Sequence, residues 1–195
     1  MFRVEYKYSA CIKIVTDDVR ILCDPWFGAG AYSGTWHQFP PVKNKIGLIG
    51  DFDIIYISHI HPDHYCSETI AELLSHYGRK NILVADWGEH PNYLAKKMLS
   101  DGFGDYLIIS NETTLGDTSV KVLPNRTGSA SDIDSALIVS SKESKKAVLN
   151  VNDCIYNDSF YGEINDVKIQ DGLEFTLFCL GYTGAGPYPQ TYYSP

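Results

Sequence analysis

With 195 residues the chain has room for one domain with a sizeable core, and its 44% hydrophobic and 21% charged residues are ordinary for a soluble globular protein. A formal net charge of −8, with no basic block, argues against nucleic-acid backbone as a partner. No apolar run is long enough to span a membrane and no basic-then-apolar leader opens the sequence, so a cytoplasmic location is expected.

Five cysteines (Cys11, Cys23, Cys66, Cys154, Cys179) are scattered and lack any Cys-x-x-Cys, which points to neither a disulfide framework nor a zinc knuckle. Cys11, Cys23 and Cys179 lie in apolar strand-like runs and read as core residues. Residues 2–8 alternate apolar with polar, the pattern of a half-buried strand. Cys11 to Thr16 and Val19 to Cys23 continue it around an Asp17-Asp18 turn, and the three strands predict an antiparallel meander. It runs into Asp24-Pro25-Trp26-Phe27-Gly28, where Pro and Gly end regular structure. Residues 28–50 are rich in Gly, Pro and aromatics, and so long an irregular segment is usually a lid or binding loop. Trp26, Tyr32, Trp36 and His37 are its candidates for substrate contact.

Ile54 to Ile57 reads as a buried strand, and it delivers His59-Ile60-His61-Pro62-Asp63-His64. While the backbone stays extended, His59 and His61 point to one side; the turn at Pro62 then returns Asp63 and His64 toward the same point. Three imidazoles and a carboxylate suit one or two divalent ions, zinc first, iron or manganese next. Beyond this loop, Ser67 to Tyr77 predicts a helix with Ser67 as N-cap, and Pro91 to Ser100 a second with Pro in its first turn. Asn81 to Ala85 and Tyr106 to Ile109 read as strands. Glu89 and His90 form a weaker polar cluster held in reserve as ligands. Val120 to Leu123, Ala136 to Ser140 and Ala147 to Val151 follow as strands, then an apolar run over 173–180. Such alternation of strands and helices suits a layered α/β domain.

The His-x-His-x-Asp-His pattern at 59–64, placed after a buried strand, resembles that of the metallo-β-lactamase superfamily. Asp24-Pro25-Trp26-Phe27, residues 132–137 with Asn152-Asp153-Cys154, and residues 182–189 are similar to the branch holding ascorbate-6-phosphate lactonase-type proteins and the β-lactamase-like domain of CMP-N-acetylneuraminate hydroxylase. The resemblance implies one domain over 1–195, an αββα sandwich of two mixed sheets flanked by helices, incomplete at its C-terminal edge. It implies His59, His61, Asp63, His64 and Asp153 as metal ligands, with Asp153 bridging two ions. Asp63 would also orient or deprotonate water, and Arg126 would bind or stabilise negative charge. Asp24 would support a ligand or simply hold its turn, and Tyr182 would join the substrate contacts.

Two departures from the family stand out. The superfamily places a further ligand His where this chain has Val122 to Ser129, and a last His near the C-terminus, whereas none follows His90 here. Asn125, Asp132 or Asp134 could stand in for the first, with Asn125 and Asp134 otherwise in supporting roles. The chain also lacks the Cys-x-His pair of a Rieske centre, so oxygenase activity by this chain alone is not expected. The implied activity is a metal-dependent hydrolase of a small phosphorylated, lactone or nucleotide-sugar substrate. The alternative is a non-hydrolytic nucleotide-sugar binding or accessory domain serving a separate redox partner. An open sheet edge would favour self-association into a homo-oligomer.

Overall fold

The computed structural model describes residues 2–128 and 132–181. The predicted meander is β1 (Arg3–Tyr8), β2 (Cys11–Val15) and β3 (Arg20–Cys23), each antiparallel to the next. β3 then pairs parallel with β4 (Ile54–Tyr56), β4 with β5 (Asn81–Val84), and β5 with β6 (Leu107–Ile109), completing a six-stranded sheet in chain order. Parallel neighbours need crossovers, supplied by α1 (Lys45–Ile49), α2 (Ser67–Tyr77) and α3 (Tyr93–Ser100). The second sheet holds β7 (Glu112–Leu115), β8 (Thr118–Pro124), β9 (Ser135–Ser141), β10 (Lys146–Asn152) and β11 (Glu174–Leu180), in the order β11-β10-β9-β8-β7. Its pairs are antiparallel except β10–β11, which is parallel and bridged by α4 (Asp158–Asp171).

Period-two alternation explains the layers. In β4 and the residue after it, Ile54 and Tyr56 face the second sheet beside Ile21, Leu83, Val122 and Leu137, whereas Ile55 and Ile57 face α2 and α3 beside Ile70, Leu73, Leu94 and Met98. A third cluster seats Phe160 of α4 on Ala136, Ile138 and Leu149 of the second sheet. Both faces of both sheets are therefore covered, which is the αββα sandwich. Each buried Leu or Ile contributes roughly 1.5–3 kcal/mol of transfer free energy. A bidentate Arg20–Asp53 pair, at 2.9 and 2.7 Å, fastens the start of β3 to the residue ahead of β4.

Several local expectations are corrected. The segment 28–50 is not irregular throughout, because Asn44 accepts from the Gly47 N–H at 2.8 Å and starts α1. The N-cap of α2 is Cys66 rather than Ser67. Helix α3 begins two residues after Pro91, capped by the Asn92 side chain, which accepts from Ala95 N at 2.9 Å. Cys179 is only half-buried, on the edge strand β11, where Leu177, Phe178 and Leu180 are exposed. No helix among the described residues is long and apolar enough to cross a membrane.

Candidate metal centre

The site grows from the parallel β3–β4 pair. Cys23 lies opposite Tyr56, so the residues leaving the two strands emerge side by side. Asp24 takes a left-handed backbone (φ 44°) and is fully buried. Ser58 donates its N–H to Asp24 Oδ1 and its hydroxyl to Oδ2, both at 2.8 Å. His64 Nδ1 donates to the same Oδ2 at 3.0 Å. With its one proton given to Asp24, Ser58 Oγ accepts from His59 Nδ1 at 2.9 Å. One carboxylate thereby orients two imidazoles, turning Nε2 of each away from it and leaving that of His59 as a lone pair.

The Pro62 turn closes as expected. His64 N and Tyr65 N both donate to His61 O, at 3.0 and 2.8 Å, which folds His64 back over His59. His59 Nε2 stands 2.9 Å from His61 Nδ1. From the second sheet, Asp153 at the end of β10 brings Oδ2 to 4.0 Å from His59 Nε2 and 3.5 Å from His64 Nε2. Ligand atoms of His59, His61 and Asp153 all lie within 4.8 Å of one another. Asp63 flanks the group, with Oδ2 at 3.7 Å from His64 Nε2 and Oδ1 accepting from the Tyr32 hydroxyl at 2.8 Å.

A polar seam between the sheets fixes this meeting. Ser135 Oγ donates to Ser58 O at 2.8 Å, the Tyr56 hydroxyl donates to Ser135 O at 2.9 Å, and Asn152 Nδ2 reaches the same carbonyl at 3.2 Å. Asn152 is left-handed (φ 47°), which turns the chain so that Asp153 faces the histidines. Asn125 holds the far side of that turn, accepting from Ile155 N at 2.7 Å and donating to Ile155 O at 3.2 Å.

The electrostatics suit a cation. Burial, reinforced by His64 and His61, pushes His59 down to about 2, and burial also lowers His61. Burial works against a charged His64 too, but the Asp24 and Asp153 carboxylates outweigh it and push that ring up to about 10. The His64 hydrogen bond holds Asp153 below the usual carboxylate range. Two imidazole nitrogens face each other at 2.9 Å beside a carboxylate; lone pairs so placed need a proton or a metal ion between them. Nitrogen and oxygen donors of this kind fit zinc, iron or manganese.

Other candidates sit differently. Asp134 lies behind His59, with Oδ1 3.4 Å from Nδ1 rather than from the inward Nε2; that oxygen is buried without a hydrogen bond, and burial followed by Asp153 raises the carboxyl to about 7. Asp132 accepts from the N–H groups of Thr127 and Gly128 at 2.8 and 3.1 Å, and Asn125 is committed to Ile155. Among the described residues, none of the three joins the group formed by the ligand atoms of His59, His61 and Asp153. Arg126, Glu89 and His90 are exposed, and no hydrogen bond or ion pair among the described residues joins them to the cluster. Trp26 is buried, Trp36 is 44% exposed with its ring 4.9 Å from that of Tyr32, and His37 is exposed. Tyr182 lies outside the described residues. Sequence reasoning missed Ser58 and Ser135; a hydroxyl immediately before the first ligand histidine was the available signal for Ser58.

Residues 3–156 match the family described as the beta-lactamase superfamily domain. The chain belongs to that family. Two curated relatives of this superfamily domain are a Mycolicibacterium smegmatis protein carrying the name of a Rieske 2Fe-2S iron-sulfur protein, 30% identical over 90% of this chain and 33% of its own, and the mouse cytidine monophosphate-N-acetylneuraminic acid hydroxylase, 28% identical over 78% and 26%. The chain thus spans about a third or less of the length of the curated relatives it matches. Among solved structures, CmlA, a diiron beta-hydroxylase from Streptomyces venezuelae, superposes with a TM-score of 0.59 at 17% identity, over 85% of this chain and 32% of that one. A structure from Veillonella parvula, described as a possible metal-dependent hydrolase, gives 0.59 at 14% identity, over 87% and 66%. At such identities these likenesses show the fold.

Proposed function

We propose that this superfamily domain is a metal-dependent hydrolase of a small phosphorylated, lactone or nucleotide-sugar substrate. The observation that carries the reading is the convergence of one ligand atom each from His59, His61 and Asp153 within 4.8 Å, beside His64 and Asp63. These five residues would hold one or two divalent ions, which supply Lewis acidity and lower the pKa of water. The chain's own work is positioning. Asp24 and Ser58 keep the Nε2 atoms of His59 and His64 directed inward. Asp63, with one oxygen tied to Tyr32, keeps the other to orient the attacking water and take its proton. Arg126, exposed nearby in sequence to the Asn125 clamp, offers positive charge to an anionic substrate group.

A second reading has its own support. The similarity to the Rieske-named protein and to the hydroxylase runs over 90% and 78% of this chain, so a nucleotide-sugar binding or accessory role beside a separate redox protein is the rival. Elemental analysis of protein purified without a metal-affinity tag, next to His61→Ala, separates the first step. One or two equivalents of zinc, iron or manganese in the wild type, lost in the variant, justify a turnover screen on phosphodiesters and lactones. Protein that stays empty after metal reconstitution would sink the hydrolase, and a loaded protein inert on that panel would favour the accessory role.

A further inference from the structure

Asp63 is buried beside the cluster, and its two oxygens meet different neighbours. Oδ1 accepts from the Tyr32 hydroxyl at 2.8 Å, and Oδ2 lies 3.7 Å from His64 Nε2. We infer that Tyr32 is a positioning residue for Asp63 rather than a substrate contact: its hydroxyl holds Oδ1 so that Oδ2 alone serves an ion, and through the same bond the 31–36 turn tightens when the ion binds. The inference rests on the metal-centred reading above and adds the residue through which metal occupancy governs the loop beside the site.

Three observations carry it. First, the turn is built to hold its tyrosine still. Ala31 O accepts from the N–H groups of Gly34, Thr35 and Trp36 at 3.1, 3.1 and 3.2 Å, and Ala31 N donates to Trp36 O at 2.9 Å. The Thr35 hydroxyl donates to Tyr32 O at 2.8 Å. Tyr32 and Ser33 take left-handed backbones (φ 50° and 58°), a conformation that a bulky residue such as tyrosine adopts only where its surroundings enforce it. Second, Asp63 depends on that hydroxyl, which among the described residues is the one donor to its carboxylate. A buried oxygen stripped of its donor bears the cost of lost hydration, and the side chain then turns to offer the other oxygen, or both, elsewhere. Third, the neighbouring imidazoles have braces of the same kind, Ser58 on His59 and Asp24 on His64. Those braces stand just past β4 and β3, whereas Tyr32 belongs to a turn whose residues Ser33, Gly34, Thr35 and Trp36 are exposed. Tyr32 is thus the brace with room to move. Coupling of this kind is reciprocal: a turn that fixes Asp63 for an ion is itself fixed by an ion that holds Asp63.

The test uses the whole chain as wild type, Tyr32→Phe, Asp63→Ala and the double variant. Each is titrated with zinc against a chromophoric chelator, and with cobalt read by its visible absorption. Tyr32→Phe keeps the ring and removes only the hydroxyl, and an unchanged metal-free urea midpoint shows that it is folded. The expected result is a zinc affinity lowered about ten-fold in Tyr32→Phe, with an altered cobalt spectrum. Made on Asp63→Ala, the same change should cost nothing further. Hydrogen exchange on the wild type should show the Gly34, Thr35 and Trp36 amides slowed by zinc, a measurement that decides the matter even where the variant does not fold. Wild-type affinity and spectrum in Tyr32→Phe, an equal loss in both backgrounds, or exchange at 34–36 indifferent to zinc would each overturn the inference while leaving the metal site in place. A wild type that takes up neither ion would sink the metal-centred reading, and this inference with it.

Discussion

At the scale of single residues, Asp24 has more consequence than any one candidate ligand. Its two oxygens receive the Ser58 N–H, the Ser58 hydroxyl and His64 Nδ1, and through Ser58 it also sets His59. An Asn in its place keeps the shape but presents an NH2 to a hydroxyl or a ring N–H, so one imidazole turns to the wrong tautomer. Asp24→Asn is expected to lower metal affinity about 10- to 100-fold, measured by competition with a chromophoric chelator. The histidines themselves were legible, because a loop that crowds four potential ligands into six residues after an apolar strand is built to share an ion. The Asp24–Ser58 link was not, because the two lie 34 positions apart and meet only once β3 and β4 pair in parallel. Likewise Asp134, open in sequence as a stand-in ligand, is placed by the fold behind His59.

At the scale of elements, the sequence revealed strands better than helices. Every strand with an alternating or continuous apolar run was legible; β7, with Glu112, Thr113 and Thr114, was not, since it carries little apolar content. Helix α4 escaped for a different reason. Phe160, Ile164 and Val167 pack on the second sheet at helical spacing, but exposed Tyr161 and Ile169 break up the stripe. Its end signals were nonetheless present: Asn157 accepts from Phe160 N at 2.9 Å, and Gly172 closes the helix in the left-handed region (φ 66°). Asn157→Ala should cost about 1 kcal/mol and lower the Tm by several degrees, read by thermal denaturation. Glycine at 28 is a second element-scale constraint, since a Cβ there would meet Cys66 Sγ at 2.9 Å and push the loop after β3 against the N-cap of α2.

For the whole molecule, the layered architecture followed from the alternation of elements, because a sheet with apolar residues on both faces must be covered on both. What length and charge left open was how the chain tolerates acid, and the ion pairs answer that. The Arg20 guanidinium holds Asp53 below its ordinary 3.8, and Lys7 with Lys13 holds Glu5 below 4.5. A carboxyl depressed in the folded state adds stability above its unfolded pKa and loses it as pH falls through the folded value. The share of stability that Asp53 supplies, read as the difference in urea midpoint between wild type and Asp53→Asn, is therefore expected to be flat above about pH 5 and to shrink below about pH 4. The Arg20–Asp53 pair is partly exposed, so its share should not exceed about 1 kcal/mol.

The cluster also has a mechanical meaning. His59, His61 and His64 leave the first sheet, whereas Asp153 leaves the second, and the intervening chain runs through β5 to β10. An ion gripped by both is a cross-link closing a long loop, and cross-links of that kind act largely by shrinking the freedom of the unfolded chain. The two halves of the sandwich would then be riveted at one end, and tied at the other by hydrogen bonds linking Thr16 and Asp18 with Asp117 and Thr118. Stripping the rivet frees the 153–157 turn first, so chelated protein should be nicked by proteases there before the hydrophobic layers part.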